Sequence, residues 1–485
     1  MTIKDLNPGI VWNNFYSLTR IPRPSKKEGK AVEYLYNFGK SLGLETIRDE
    51  VGNIIIRKPA TPGMENRKGV ILQGHIDMVP QKNADTVHDF EKDPIETRID
   101  GEWVKANGTT LGADNGIGVA MALSVLQSDD LKHGPVEVLV TVDEETGMTG
   151  ARALKPGILK GDILINLDSE TEGELYIGCA GGLDATASIP YRTVGLPEGK
   201  YCTHRLSVAG CQGGHSGMDI ILGRANANKV LARLLLPLLR DFGVKLVSVE
   251  GGNMRNAIPR EAWAVIRIQE DRVGEVDQYL HEVHVALLNE YRATDPNIYV
   301  GLRSDSRTDT AIEDGDAIRC IQALLACPEG VERMSNQMPG LVETSNNTAI
   351  VRTENGKFVI KTLMRSSVES AKELLAERMR AVVELAGGTV AFEGGYPGWA
   401  PDSSSTILHT MKTVYAELYG KEPAVMAIHA GLECGILSGA YPRLDKVSCG
   451  PTIMSPHSPD ERVNIPSVEK CWNFLKAVLE NIQEK

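Results

Sequence analysis

The chain has 485 residues, more than a single hydrophobic core typically organises, so its length predicts two or more domains. Hydrophobic residues make up 42% and charged residues 24% of the composition, as in ordinary globular proteins. The formal net charge of -12, with no basic cluster along the chain, argues against binding to nucleic acid or to an anionic membrane surface.

The sequence predicts neither a targeting segment nor a membrane-spanning one. Its first residues, MTIKDLNPGIVWNNFYSL, carry charges and a Pro-Gly pair where a signal peptide needs an unbroken apolar run. The longest apolar stretch, VLARLLLPLLRDFG, is interrupted by Arg233, Pro237 and Arg240. The eight cysteines show no CxxC spacing, which favours reduced thiols. We therefore expect a cytoplasmic protein.

The first third of the chain alternates helical and strand patterns. The segment KKEGKAVEYLYNFGKSLGL has helical apolar spacing and a glycine stop, and four short runs rich in β-branched residues follow it: GNIIIRK, KGVILQGHIDMV, VEVLVTVDEE and DILINLDSE. This alternation predicts an α/β domain with a mainly parallel sheet that is covered on both faces. The last three runs end in acidic or histidine residues, at the strand ends where such sheets bind ligands.

The middle of the chain has a different pattern. THRLSVAGCQGGHSG leads into the helical NANKVLARLLLPLL, and strand-like GGNMRNAIPREAWAVIRI and NGKFVIKTLMRSS precede the helical SAKELLAERMRAVVELAGG. Beyond GGYPGWAPDSSS come a helix (ILHTMKTVYAELYG), a strand-like AVMAIHAGLECG and a final helix. The simplest organisation is a first domain of residues 1–183 and 397–485, interrupted by an inserted α+β domain of residues 184–396.

The segment LQGHIDMVP places a histidine and an aspartate two positions apart at the end of an apolar run. Side chains alternate along a strand, so His75 and Asp77 point to the same side. The carboxylate can accept the second N–H of the imidazole, which fixes its tautomer and raises its basicity as a metal ligand. Taken alone, the pair is more typical of two polar side chains that satisfy each other.

Four further motifs carry candidate ligands. Asp114 lies in the glycine-flanked TTLGADNGIGVAMAL, where it either caps a helix or approaches a cation. Glu144 and Glu145 follow VLVTVD, and they form either a solvated turn or a general base beside a ligand. Asp168 ends the run ILINLD, and His457 lies in the loop GPTIMSPHSPDERV near the C-terminus.

Together these positions form a set of two imidazoles and three carboxylates: His75, Asp114, Glu145, Asp168 and His457. Such a mixed nitrogen and oxygen set suits zinc, cobalt or manganese better than calcium. One bridging carboxylate with two ligands on each side makes a two-metal site, with ions about 3.5–4 Å apart. The set therefore predicts a hydrolytic metal centre.

Several blocks of this chain, in the same order, resemble the M20 family of di-zinc metallopeptidases, which includes aminoacylases, carnosinases and peptidase T. They are LQGHIDMVPQKN, GTTLGADNGIG, DEETGMTGA, RNAIPREA, HAGLECG and GPTIMSPHSPDERV. The resemblance runs over nearly the full length. It implies hydrolysis of dipeptides with a free N-terminus, with broad specificity that includes Xaa-His dipeptides such as carnosine.

Two other functions are weighed against this one. The first is an N-acyl amino acid deacylase of the same family, which a free amino group in the substrate distinguishes from a dipeptidase. The second is a non-catalytic, metal-dependent binding protein, which loss of a ligand or of the base would favour. Every expected position is filled here.

The resemblance implies two divalent metal ions per chain, zinc or else cobalt or manganese. His75 and Asp168 would hold one ion, and Glu145 and His457 would hold the other. Asp114 would bridge them. The peptide bond between Asp114 and the next residue would be cis.

The resemblance also implies catalytic roles for two residues beside the metal ligands. Asp77 would orient His75 without binding metal. Glu144 would be the general base for a metal-bridging hydroxide that attacks the peptide carbonyl, and would then deliver the proton to the leaving amine.

The family's substrate contacts map onto four positions of this chain, and Glu433 is added to them because a carboxylate suits an ammonium group. His215 would donate to the tetrahedral oxyanion. Arg365 would hold the substrate carboxylate, and Asn256 and Gly431 would line the same pocket. Glu433 is assigned to the free amine of the substrate.

Because these residues are divided between the two domains, the resemblance implies a lid that closes over small peptide substrates. Residues 184–396 would then either cover the site within one chain or pair two chains as a homodimer. Accordingly, His215 would act in its own chain's site or in that of a partner.

Overall fold

A computed structural model of the protein describes residues 2–196 and 200–485, and the chain forms two compact units. Unit 1 consists of Met1–Gly178, Pro401–Ala427 and Leu432–Lys485. Unit 2 consists of Cys179–Ala400 and Ile428–Gly431. Unit 1 is therefore built from segments on both sides of unit 2 in the sequence, and the short return of Ile428–Gly431 to unit 2 was not predicted.

The predicted domain boundaries, after residues 183 and 396, lie five residues after and four residues before the main divisions at 178 and 400. The role of the inserted segment as a lid or a dimerisation domain stays a prediction.

The elements are as follows, in chain order. The α-helices are α1 (Gly9–Thr19), α2 (Gly29–Ser41), α3 (Ala113–Gln127), α4 (Glu144–Gly147), α5 (Thr149–Ala153), α6 (Ala227–Asp241), α7 (Val273–Glu290), α8 (Asp314–Ala326), α9 (Glu369–Leu385), α10 (Thr406–Tyr419), α11 (Glu433–Ala440) and α12 (Ile465–Glu480). The strands are β1 (Glu45–Arg48), β2 (Ile54–Lys58), β3 (Val70–His75), β4 (Thr97–Asp100), β5 (Trp103–Ala106), β6 (Val136–Thr141), β7 (Ile163–Asn166), β8 (Glu174–Cys179), β9 (Gly181–Pro190), β10 (Thr193–Gly195), β11 (Tyr201–Ala209), β12 (Gly214–His215), β13 (Lys245–Gly251), β14 (Ala257–Ile258), β15 (Ala262–Gln269), β16 (Tyr299–Ser304), β17 (Thr310–Ile312), β18 (Gly330–Met334), β19 (Val342–Glu354), β20 (Lys357–Ser366), β21 (Thr389–Tyr396), β22 (Ala424–Ile428), β23 (Asp445–Ser448), β24 (Ile453–Met454) and β25 (Arg462–Asn464).

The main sheet of unit 1 has the strand order β1-β2-β6-β3-β7-β23-β8-β22. Its centre is parallel, because β3 pairs in parallel with β6 and β7, and β7 with β23. The strands β1, β2 and β8 pair antiparallel with their neighbours. Every residue of β3, β6 and β7 is buried, which matches their nearly continuous apolar sequences. The predicted α/β class is confirmed, with the parallel arrangement confined to the centre of the sheet.

Helix α3 packs against β3 at very short range, and two glycines make this possible. A Cβ atom on Gly118 would lie 2.2 Å from the carbonyl oxygen of Leu167, just beyond β7. A Cβ atom on Gly74 would lie 2.2 Å from Oδ1 of Asn115. Only glycine permits such an approach. The start of α3 is thereby brought to the carboxyl ends of β3 and β7.

Unit 2 is built on a nine-stranded sheet with the order β16-β11-β15-β13-β19-β20-β9-β21, and β18 pairs with β19. Its strand pairs are antiparallel. Helices α6 to α9 share one apolar core with this sheet. Helix α6 begins at Ala227 because the Asn226 side chain accepts the N–H groups of Asn228 and Lys229. This is the α+β arrangement that the sequence predicts.

One segment differs from its predicted form. The strand-like pattern AVMAIHAGLECG is a strand only as far as Ile428, and Glu433 begins helix α11. The chain turns between these elements, and α11 then buries Cys434, Ile436 and Leu437. Throughout the described part of the chain, no helix is both long enough and apolar enough to cross a bilayer.

Candidate metal centre

Three strands of the parallel centre deliver polar side chains to one edge of the sheet. His75 is the last residue of β3, Glu144 and Glu145 begin the helix α4 after β6, and Asp168 follows β7 by two residues. The carboxyl ends of neighbouring parallel strands meet at the same edge, where α/β sheets bind ligands. The strand order β6-β3-β7 therefore gathers these four side chains.

Asp114 lies at the centre of this cluster. Its Oδ1 is 3.1 Å from Nε2 of His75, and its Oδ2 is 3.1 Å from Nε2 of His457. Nε2 of His75 is also 3.4 Å from Oδ1 of Asp168. Nε2 of His457 is 3.0 Å from Oε2 of Glu145. One carboxylate thus faces two pairs, each of an imidazole and a carboxylate, with one pair at each oxygen.

The backbone around the cluster adopts rare conformations. The Asp114–Asn115 peptide bond is cis, as predicted. Asp143, before Glu144, and His457 have positive φ angles of 53° and 60° although neither is glycine. A positive φ angle at a non-glycine residue costs about 1–3 kcal/mol of conformational energy. Such a conformation persists only where the surrounding structure enforces it, as is common at functional sites.

The ligand atoms of this cluster are suited to divalent metal ions. Oε1 of Glu145 and Oδ1 of Asp168 are buried, and within the described ranges neither accepts a hydrogen bond. Ligand atoms of His75, Asp114 and Glu145 lie within 4.8 Å of one another. Buried carboxylate oxygens without donors are costly unless a cation reaches them. Imidazole and carboxylate ligands together suit zinc, cobalt or manganese.

The electrostatic potential at the cluster favours cations. Burial by itself lowers the pKa of His75, but the nearby carboxylates, first that of Asp168, outweigh burial and raise this pKa well above its ordinary value. Hydrogen bonds to Asp114 and Glu145 raise the pKa of His457 to about 11. Both shifts report a strongly negative potential, which a divalent cation would neutralise.

Glu144 has the electrostatic surroundings of a proton acceptor. Burial raises the pKa of its carboxyl well above the ordinary value, and Asp168 and Glu433 add to this effect, whereas His75 opposes it. A carboxyl group with a raised pKa accepts a proton more readily than an ordinary carboxyl group does, as a general base must. Its assignment as the general base stays a prediction.

Asp77 is fully buried behind His75. Its Oδ1 lies 3.4 Å and its backbone oxygen 3.2 Å from Nδ1 of His75, so this nitrogen carries the proton and Nε2 faces Asp114. Its carboxylate also accepts the Ser25 hydroxyl at 2.8 Å and the N–H of Glu144 at 3.0 Å. Burial alone would raise the pKa of Asp77, but these bonds, chiefly that from His75, lower it to about 2.

Comparison with known proteins places this geometry in a family. The model of peptidase family M20/M25/M40 matches residues 71–481. The chain belongs to this family. The predicted resemblance to the M20 metallopeptidases is therefore confirmed.

Two relatives match this M20/M25/M40 chain over its whole length. The cytosol non-specific dipeptidase of Escherichia coli (strain K12) is 46% identical over 483 residues, which cover 100% of this chain and 99% of that protein. The crystal structure of aminoacylhistidine dipeptidase from Vibrio alginolyticus is also 46% identical, with a TM-score of 0.95 and coverage of 100% and 99%. Aminopeptidase PepT from Bacillus cereus, at 17% identity, a TM-score of 0.57 and coverage of 98% and 99%, shares the fold.

Four of the five predicted substrate contacts of this M20/M25/M40 chain lie together within unit 2. Strand β12, which ends at His215, pairs with β14, and the N–H of Ser216 donates to the carbonyl oxygen of Asn256 at 2.8 Å. A Cβ atom on Gly217 would lie 3.1 Å from Cε1 of His215 and 3.3 Å from Nε of Arg365. Gly217 therefore lets these two side chains approach the same point.

Arg365 and Gly431, two of the predicted substrate contacts, both lie next to the side chain of Tyr396. The guanidinium of Arg365 donates from Nη1 to the hydroxyl of Tyr396 at 3.3 Å. A Cβ atom on Gly431 would lie 3.0 Å from that hydroxyl oxygen. Nε of Arg365 is buried and donates no hydrogen bond to any residue that the structure describes. A buried guanidinium with a spare donor is suited to a carboxylate.

The tautomer of His215 follows from its neighbours. Its Nδ1 accepts the backbone N–H of Gly217 at 3.2 Å and that of Met218 at 3.0 Å, so the proton of the neutral ring resides on Nε2. Burial, assisted by the charge of Arg365, lowers the pKa of His215 and so favours the neutral form of the ring. The ring therefore presents an N–H donor, as an oxyanion contact requires.

Glu433, the fifth predicted substrate contact, lies in unit 1 and is 2% exposed. Its Oε2 accepts Gln73 Nε2 at 2.6 Å and Thr141 Oγ1 at 2.8 Å. Its Oε1 is buried, and no described residue donates to it. Burial raises the pKa of this carboxyl to about 7. The assignment of Glu433 to the substrate amine stays a prediction.

A second group of three carboxylates lies in unit 1: Glu28, Asp77 and Asp143, with oxygens within 4.8 Å of one another. Asp143 accepts the hydroxyls of Thr146 and Thr149. Glu28 accepts the N–H groups of Lys26 at 2.8 Å and Asp143 at 3.1 Å. Because each member already accepts hydrogen bonds, this group is a scaffold rather than a second metal centre.

Sequence analysis overlooked two buried charged residues that support the site, Glu461 and Arg23. Glu461 accepts backbone N–H groups at the start of α3, and Arg23 donates to the carbonyl oxygens of Ile76 and Gly112. Glu461 lies within the loop GPTIMSPHSPDERV, four residues after His457. Their partners are backbone atoms far away in the sequence, which side-chain patterns do not reveal.

Proposed function

We propose that the protein is a metal-dependent dipeptidase that hydrolyses dipeptides with a free N-terminus, including Xaa-His dipeptides such as carnosine. The observation that carries this proposal is the position of Asp114 between two imidazole–carboxylate pairs. The names of the two relatives at 46% identity, one a non-specific dipeptidase and one an aminoacylhistidine dipeptidase, support the substrate class.

The five clustered ligands would hold two divalent ions, for which we propose zinc, with cobalt and manganese as substitutes. His75 and Asp168 would bind one ion, and Glu145 and His457 the other, with Asp114 shared. When bound, such ions acidify water and polarise a carbonyl group.

The protein's own residues then manage the proton and the substrate. Glu144 takes the proton from the attacking water at its carboxylate and delivers it to the leaving amine. Asp77 holds the tautomer of His75. His215 donates from Nε2 to the developing oxyanion, and Arg365 binds the substrate carboxylate.

A substrate panel tests this function. Purified protein is supplied in turn with Zn²⁺, Mn²⁺ and Co²⁺, and hydrolysis of carnosine, Ala-His and N-acetyl amino acids is measured. We expect the dipeptides to be hydrolysed and the acetylated compounds to be poor substrates. A preference for the acetylated compounds would instead favour the deacylase alternative, and metal binding without turnover of any substrate would favour a binding protein.

The carboxylate contact has its own test in Arg365→Lys. Loss of a charged hydrogen bond costs about 1.5–3 kcal/mol, so KM for dipeptides should rise about 10- to 100-fold. The matched control is Arg267→Lys, because Arg267 is also buried in unit 2 but donates to the carbonyl oxygens of Tyr201 and Thr308. That control should lower stability and leave KM unchanged. An unchanged KM in Arg365→Lys would remove Arg365 from the substrate pocket.

We further propose a cytoplasmic setting for this reaction. Support comes from the eight cysteines, which form no disulfide bond in the part of the chain that the structure describes, and from the name of the E. coli relative. Sedimentation of the purified protein distinguishes the monomer from the homodimer that the sequence leaves open.

A further inference from the structure

Glu461 is a buried carboxylate, 2% exposed, that binds four consecutive backbone N–H groups. Its Oε2 accepts those of Leu111 at 2.7 Å and Gly112 at 3.0 Å. Its Oε1 accepts those of Ala113 at 2.7 Å and Asp114 at 3.1 Å. The last of these residues is the one whose side chain faces both imidazoles of the metal cluster.

The start of α3 has no local side chain to satisfy these groups. The residue before the helix is Gly112, in a left-handed conformation with φ 69°, and it provides no side-chain cap. Buried backbone N–H groups need an acceptor in the protein, because they cannot use water. Glu461, 347 residues away from Asp114, provides it. A hydroxyl or amide cap has one acceptor oxygen, whereas four donors need both oxygens of a carboxylate.

The same contact joins two of the proposed metal ligands. Glu461 follows His457 by four residues, and the intervening loop closes with the N–H of Glu461 donating to the carbonyl oxygen of Ser458 at 3.0 Å. One side chain therefore holds the backbone of Asp114 against the loop that carries His457. The side chains of Asp114 and His457 are in contact, with 3.1 Å between Oδ2 of Asp114 and Nε2 of His457.

The guanidinium of Arg23 donates hydrogen bonds to a carbonyl oxygen of the same turn and to one at the end of β3. Its Nη2 donates to the oxygen of Gly112 at 2.6 Å, and its Nη1 donates to the oxygen of Ile76 at 2.7 Å. Ile76 directly follows His75. The turn before Asp114 is thus bound through its N–H groups to the His457 loop and through a carbonyl group to the end of β3.

We propose that Glu461 is the positioning residue of the metal centre. It fixes the backbone of Asp114 and the loop of His457 in the geometry that binds two ions, before the ions arrive. This inference rests on the metal centre proposed above, and it adds a residue that touches neither metal nor substrate.

The test is Glu461→Gln, which keeps the size of the side chain but replaces one acceptor oxygen with a donor that opposes two N–H groups. We expect the dissociation constant for Co²⁺ at one or both sites to rise about 10- to 100-fold, as is typical for residues behind metal ligands. The visible absorption spectrum of the Co²⁺-loaded protein should also change, because the ligand geometry relaxes.

Glu137→Gln is the matched control. Glu137 is 5% exposed in unit 1, and its carboxylate also accepts backbone N–H groups, those of Lys160 and Gly161, together with Nε of Arg57. It lies near the start of β6, at the end of the strand away from Glu144. The same chemical change there should lower the melting temperature and leave Co²⁺ affinity and spectrum unchanged.

The outcomes separate the two proposals. If wild-type protein binds no pair of ions, the proposed metal centre fails. If wild-type protein binds two ions and Glu461→Gln binds them with the same affinity and spectrum, losing only stability as the control does, the positioning role is overturned. If Glu461→Gln does not fold, Glu461→Asp decides, because it keeps both oxygens and shortens the reach by one methylene group. Wild-type affinity and spectrum in that variant also overturn the role.

Hydrogen exchange in the wild-type protein gives a test without substitution. If Glu461 preorganises the turn, the amides of residues 111–114 are protected in EDTA-treated protein as well as in the loaded protein. Rapid exchange that slows only when Co²⁺ is added would mean that the ions, rather than Glu461, organise the turn. This measurement decides the matter even if neither variant folds.

Discussion

The described residues of unit 1 include two groups of closely spaced carboxylates, which differ in the hydrogen bonds that their oxygens accept. In the group of Glu28, Asp77 and Asp143, each carboxylate accepts hydrogen bonds from hydroxyls or backbone N–H groups. In the group around Asp114, oxygens of Glu145 and Asp168 are buried and accept no hydrogen bond from a described residue, and two imidazoles complete the set. Proximity of acidic side chains is thus a weak sign of metal binding, whereas unmet acceptors beside imidazoles are a strong one.

The largest effect on metal binding and activity is expected from replacing Asp114, at the centre of the group that contains the imidazoles. Asp114→Asn removes the charge that faces both imidazoles, so we expect loss of bound metal and activity no higher than that of EDTA-treated wild-type protein. Elemental analysis of the purified variant measures the metal. Retention of two ions at full occupancy would show that Asp114 does not bridge them.

Glu144 connects the two groups, because its N–H donates to Asp77 while its side chain responds electrostatically to Asp168 and His75. Glu144→Gln should lower kcat about 100- to 10,000-fold, the usual contribution of a general base, with both ions still bound. Steady-state kinetics at saturating substrate, together with metal analysis, measures both quantities. Full kcat would exclude Glu144 as the base.

Asp77 belongs to the group of Glu28, Asp77 and Asp143 but also contacts His75. Replacing Asp77 should therefore affect metal binding and activity less than replacing Asp114 and more than replacing Asp143. We expect Asp77→Asn to weaken metal binding or activity about 10- to 100-fold, as for other residues behind metal ligands. Chelator competition measures the affinity. If only the melting temperature falls, Asp77 acts purely as scaffold.

The smallest effect on catalysis is expected at Asp143. Asparagine tolerates the left-handed backbone here and keeps the hydrogen bond to one of the two threonine hydroxyls, so Asp143→Asn should cost about 1–3 kcal/mol of stability. Denaturant unfolding measures this cost. Metal content should equal that of wild type, and a loss of metal here would erase the distinction between the groups.

The sequence was sufficient to predict much of this arrangement. Runs such as KGVILQGHIDMV are apolar at nearly every position, which only a strand buried on both faces tolerates, so the parallel centre was predictable. The five ligands were recognisable because they end such runs or lie in glycine-rich turns. The hairpin of β1 and β2 at the sheet edge was not predicted, because GNIIIRK has the same apolar character as the parallel strands.

The supporting residues were beyond reach for a physical reason. Glu461 and Arg23 act on backbone groups of a turn more than 80 residues away, and backbone groups leave no mark on the sequence. Glu433 was predicted as a contact of the substrate amine, but its hydrogen bonds to Gln73 of β3 and Thr141 of β6 were not predicted. Patterns show which residues belong to one element, but partners across elements need the fold.

The discontinuity of unit 1 has a consequence for how the protein is made. Strand β7 ends at Asn166, and its parallel neighbour β23 begins at Asp445. At about 5–20 residues per second, a ribosome needs about 15–55 seconds between these two points. During that interval β7 has an unpaired apolar edge, and such edges promote association between nascent chains. His457 and Glu461 emerge later still, so the complete set of ligands can capture metal only after residue 457 has been made.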